Sequence, residues 1–130
     1  MNLSDVANIA EDQDRGRWLD LLDPYEGKPV GIRLLIAGPD STVQARARVK
    51  LADDLAEMAS DEGRVSAENR ETCRLRNLAR CVLGWEATEA GQPVPFTFDG
   101  ALRLLKAGRW VQEQVDEFAG SRRAFAKGGA

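Results

Sequence analysis

The side chains of this chain best suited to proton transfer are its neighbouring carboxylates: Asp53 with Asp54, then Glu57, Asp61 with Glu62, and Asp116 with Glu117. Two carboxylates flanking a scissile bond can divide acid and base roles between them. All of these candidates fall on charged helix faces, where the expected state is a solvated side chain rather than a perturbed pair. The 130 residues include no histidine, which removes the commonest general acid or base and with it the Ser-His and Cys-His nucleophile arrangements. Gly27, Gly31 and Gly38 are scattered through a predicted hairpin instead of lying between a strand and a helix N-terminus, so no phosphate cradle is expected. The sequence therefore predicts a non-enzymatic protein that uses neither cofactor nor metal.

Cys73 and Cys81 sit eight residues apart in what reads as one helix, about 12 Å at 1.5 Å per residue. Bridged Cα atoms lie within about 7 Å, so an intrahelical disulfide is excluded. Without histidine or a closer cysteine there is no zinc spacing, and both are expected as small buried hydrophobes.

A net charge of −3 argues against general attraction to phosphate backbones. Two basic groups, Arg46, Arg48 and Lys50 and then Arg70, Arg74, Arg76 and Arg80, are interleaved with apolar or acidic residues and read as solvated helix faces. Nucleic acid is thus not an expected partner. No apolar run approaches the ~20 residues of a bilayer span, and no N-terminal leader is visible. A hydrophobic share of 43% with 30% charged residues is ordinary for one globular unit of this length.

These residues are positioned by a predicted order of elements. Residues 1–15 are polar and acidic, with Leu3, Val6 and Ile9 near one-turn spacing, which fits either a short docking helix or a mobile arm. Residues 18–22 and 30–36 flank Asp23-Pro24-Tyr25-Glu26-Gly27-Lys28-Pro29 and read as a β-hairpin. After Gly38-Pro39, Asp40 or Ser41 can cap an amphipathic helix of about twenty residues carrying Val43, Ala47, Leu51 and Leu55. Ser66 opens a second helix that Gly84 ends, with Trp85 folding back on the core. Residues 86–95 read as a loop. Phe96 and Ala101 bracket Thr97 with the spacing of a hydrophobic staple, which starts a third helix. A fourth runs from about Arg109 with Val111, Val115, Phe118 and Phe125 on one stripe. The expected fold is α+β: an N-terminal β-hairpin packed on a bundle of about four helices, over residues 16–126, with a flexible tail at 127–130.

Trp18, Asp23, Pro24, Gly31, Gly38, Asp40, Ser41, Gly84, Trp85, Pro95, Phe96, Val115 and Phe125 form a framework that resembles the tail assembly chaperones of long-tailed, non-contractile bacteriophages, across roughly residues 16 to 126. The resemblance implies a phage or prophage origin and a factor of the bacterial host cytoplasm, absent from the mature virion, that binds the tape measure protein and helps the tail tube protein assemble around it. It also implies that a second, frameshifted length can exist, with Lys127-Gly128-Gly129 near the slip. Where an Asn usually follows the Pro-Phe segment of that framework, Asp99-Gly100 stands here. Alternatives from other classes are a structural head-tail joining or tail-completion protein kept in the virion, and a small regulator.

Partner contacts are expected from Trp110, from the Pro-rich Val94, Pro95 and Phe96, and from Phe118, Arg122 and Arg123, since tryptophan and arginine often dominate interface energetics. Leu102 and Leu105 with Trp110 and Phe118 are expected to leave an exposed apolar patch, and so to give a homo-oligomer.

Overall fold

Asp23 shows how locally determined the first reversal is. Its carboxylate accepts from the backbone N–H groups of Tyr25, Glu26 and Lys28 at 2.9, 2.7 and 3.0 Å, and Gly27 takes the left-handed conformation at φ 70°. These bonds, led by that from Glu26, hold the Asp23 carboxyl below its usual range. The strands on either side pair antiparallel, Trp18 opposite Leu35 and Asp20 opposite Arg33.

The computed structural model describes residues 1–126. In chain order the elements are α1 (Leu3–Arg15), β1 (Arg17–Leu22), β2 (Pro29–Ile36), α2 (Thr42–Glu57), α3 (Ala67–Arg80), β3 (Val82–Glu86), β4 (Thr88–Glu89), β5 (Gln92–Pro93), α4 (Phe98–Ala107) and α5 (Arg109–Ala119), closed by a 3-10 turn at Arg123–Phe125. The class is the expected α+β. Among the described residues there are five α-helices rather than about four, and the hairpin is part of a three-stranded sheet of order β1-β2-β3. The tail expected to be flexible, 127–130, lies outside the described residues.

The third strand corrects the helix expected to reach Gly84. Cys81 ends α3, and β2 offers an open edge to the residues that follow: Leu34 pairs with Trp85, and Ala37 N donates to Cys81 O at 2.9 Å. Val82 and Trp85 favour strand, and sheet pairing outweighs the helical stripe that Val82 continues. The expected loop at 86–95 also contains structure. Ala90 and Gly91, at φ 50° and 79°, form a two-residue turn with both centres left-handed, and so close the small β4-β5 hairpin.

Ser41, Ser66 and Thr97 cap α2, α3 and α4 by accepting from Gln44, Asn69 and Gly100 N–H groups. The helical apolar faces meet the inner sheet face in one core, with Leu21, Leu34, Ile36, Leu105, Val111 and Val115 essentially inaccessible. The last helix ends at Ala119, earlier than expected. Phe125 still reaches the core, through the 3-10 turn instead of the helix stripe.

Candidate partner-binding surfaces

Trp85 organises the Pro-rich segment. Its indole N–H donates to Val94 O at 2.8 Å, and its ring meets Phe96 edge-on at 5.4 Å. A Cβ on Gly100 would lie 2.9 Å from the indole, so glycine at this first turn of α4 is what lets the helix approach the ring. Beside the anchored segment an open groove runs between sheet and α4, lined by Ile32, Val94, Pro95, Leu104 and Ala107, with Glu89 and Arg103 at its polar margins. Of the three candidates here, Val94 and Phe96 are half-buried and Pro95 is exposed.

Trp110 occupies the first turn of α5, half-buried against the core, with Nε1 only 2.6 Å from where a Cβ on Gly108 would stand. The apolar patch expected around it is mostly packed down. Leu105 is buried, and Leu102 and Phe118 lie against the core, because the tight turn at Gly108 lays both amphipathic helices over it. Phe118 meets Phe125 at 5.5 Å. It is two helical turns from Trp110, so these candidates form separate places rather than one surface.

Arg122 is exposed but engaged: Nε and Nη2 each approach the Asp40 carboxylate to 2.9 Å. This contact lowers the Asp40 carboxyl from its usual range, burial opposes it, and Gln13 adds to it. Arg123 is exposed in the closing turn. Of the basic residues read as solvated, Arg80 departs most. It is largely buried and pairs with Asp54 at 2.7 Å between α3 and α2, which also removes Asp54 from the free carboxylates.

Both cysteines are buried free thiols. Burial pushes Cys81 up to about 11, so it stays a neutral thiol. Among the described residues no three acidic or cysteine side chains gather as a metal site, and no helix is long and apolar enough to cross a membrane.

The surface that sequence reasoning left undecided is α1. Its C-terminal end is fixed by polar contacts. Gln13, itself buried, accepts from Asp40 N at 2.6 Å, while Gly38 N donates to Gln13 O at 3.1 Å. Asp14 accepts from Thr42 Oγ1 at 2.7 Å and Val43 N at 3.0 Å, supplying the first turn of α2 with the acid its own sequence lacks there. Burial alone would raise the Asp14 carboxyl, and the bonds from Thr42 and Val43 outweigh it to leave it lowered. The other end carries an open apolar stripe: Leu3 is 91% and Val6 58% exposed. The Asn2 and Asp5 pair, with Asp5 accepting from Asn2 N at 2.7 Å, is the start signal that marks this helix in the sequence.

Comparison with protein-family models, with curated proteins and with solved structures finds no match to this chain.

Proposed function

We propose that this chain is a non-enzymatic tail assembly chaperone of a long-tailed, non-contractile bacteriophage, which binds the tape measure protein in the host cytoplasm, promotes tail tube assembly and leaves before the virion is complete. The observation that carries this reading is the groove beside Trp85. An amphipathic helix can lay its apolar face in such a slot, and an elongated, coiled-coil-rich tape measure protein presents many such faces. Of the framework residues that resemble the chaperone family, Trp85 and Pro95 line the groove and Phe96 meets the Trp85 ring edge-on.

Co-expression with the neighbouring tape measure gene tests the reading. A soluble complex of the two is expected, and Val94→Glu with Ala107→Glu should reduce co-purification by about tenfold or more by placing charge in the apolar slot. Absence of co-purification with the unaltered chain sinks the proposal. Mass spectrometry of purified virions separates it from a retained joining protein: stoichiometric copies in the finished particle would contradict it.

A further inference from the structure

β1 is an outer strand of the sheet, and its free edge is only partly used. Asp23 N donates to Lys28 O across the hairpin at 2.8 Å, and strand alternation turns the backbone groups of Leu19 and Arg17 toward β2 as well, where they pair with Leu34 and Ile36. Those of Trp18, Asp20 and Leu22 face the other way. At Leu22 the outward groups are met by a side chain: Leu22 N donates to Gln114 Oε1 at 2.9 Å, and Gln114 Nε2 donates to Leu22 O at 2.8 Å. The Gln114 amide thus stands where the backbone of one more strand would stand. Among the described residues nothing does the same for Trp18 or Asp20, which leaves two consecutive pairing positions open.

The open stretch lies along a groove between β1 and the end of α5. Leu19, Phe118 and Ala124 give it apolar lining, and its charged members are Asp20, Asp23 and Glu117. No cation lines it. Basic side chains of the neighbouring segments are engaged: Arg33 with Asp20 and Glu86, Lys28 with Glu26, Arg17 with Asp12 and Arg122 with Asp40. Arg123 is exposed next to Ala124, and Glu113, exposed one turn before Glu117, offsets it. The slot is therefore acidic after its neighbours are counted.

We infer that β1 takes an extended, basic peptide segment of a partner protein as an added antiparallel strand, hydrogen-bonded to Trp18 and Asp20 and ended by Gln114. Both pairings of this sheet are antiparallel, an arrangement in which one ligand residue exchanges both backbone bonds with the residue opposite. Ligand residues paired in this way put their side chains on the outer face beside Asp20, where lysine or arginine meets a carboxylate. Their neighbours turn to the inner side, over Phe118 and Ala124, where apolar side chains fit. No residue lines both this slot and the Trp85 groove, so the contact stands or falls separately from tape measure binding.

Titration of the isotope-labelled full chain with a short peptide alternating lysine and valine tests the inference, read by amide shifts and amide exchange. In the free chain the Trp18 and Asp20 amides should exchange quickly and the Leu19 amide slowly. The peptide should shift and protect Trp18 and Asp20, and one alternating glutamate and valine should bind at least about tenfold more weakly. Two N-methylated forms separate strand addition from charge attraction. Methyl groups on the lysine amides remove the donors to Trp18 and Asp20 and should weaken binding about tenfold or more, whereas methyl groups on the valine amides leave those donors in place and should change little. Glu117→Lys should weaken binding about threefold or more, and Gln114→Ala should bring the Leu22 amide into the protected set, with circular dichroism checking that both variants fold. Slow exchange at Trp18 and Asp20 in the free chain, peptide-induced shifts confined to other parts of the molecule, or lysine methylation no more harmful than valine methylation would each overturn the inference.

Discussion

α1 and α4 are both short amphipathic helices with a capped start and an apolar stripe, yet one leucine on each meets an opposite fate: Leu105 on α4 is 1% exposed and Leu3 on α1 is 91% exposed. The difference lies in what holds each helix. α4 is packed along its length by α3 and α5 and approaches Trp85 through Gly100. α1 is held at one end by Gln13 and Asp14, and those contacts are polar. A helical stripe thus says that a face needs a partner, and the rest of the chain decides whether that partner is its own core.

The widest split between the two helices should appear on truncation. Leu105→Ala is expected to cost about 2–5 kcal/mol by lost burial and the cavity left behind, while Leu3→Ala should stay within about 0.5 kcal/mol for the monomer. Urea unfolding of dilute protein reads both, and equal losses would remove the contrast. Asp14→Ala comes next, at about 1 kcal/mol for a lost helix-start contact. Its main sign should be local: amides of residues 3–15 exchange faster while those of α4 keep their protection.

The smallest effect is on pH. At Asp12 burial works to raise the carboxyl and Arg17 and Arg15 outweigh it, and Asp14 and Asp40 are lowered as well. A lowered carboxylate stabilises the fold fully above its unfolded value, about pH 4, and that contribution fades as pH falls through the lower folded value. The attachment of α1 should therefore weaken as pH falls below about 4 before the core of α4 responds, as amide exchange along a pH series would show. Simultaneous loss of both helices would mean that these carboxylates do not set the attachment.

Much of this was legible in short-range chemistry. The caps at Ser41, Ser66 and Thr97, the Asp23 turn and the buried cysteines follow from residues close in sequence. β3 was not, because its strand state depends on the open edge of β2, some fifty residues earlier. The Ala90-Gly91 turn was hidden by an alanine where glycine or asparagine would have signalled it. For the candidate surfaces, residue type drew attention to Val94 and Pro95, which line a groove, and to Phe96, which packs on Trp85, but it overstated the exposed apolar patch around Trp110. Arg122 looked like a free interface arginine, and only the fold reveals its clamp on Asp40.

The most direct measurement of the central claim is the soluble fraction of the tape measure protein expressed with increasing amounts of this chain. A chaperone raises that fraction in proportion to the chain supplied, and the two are recovered together. A tape measure protein equally soluble at every level, including none, would contradict the account.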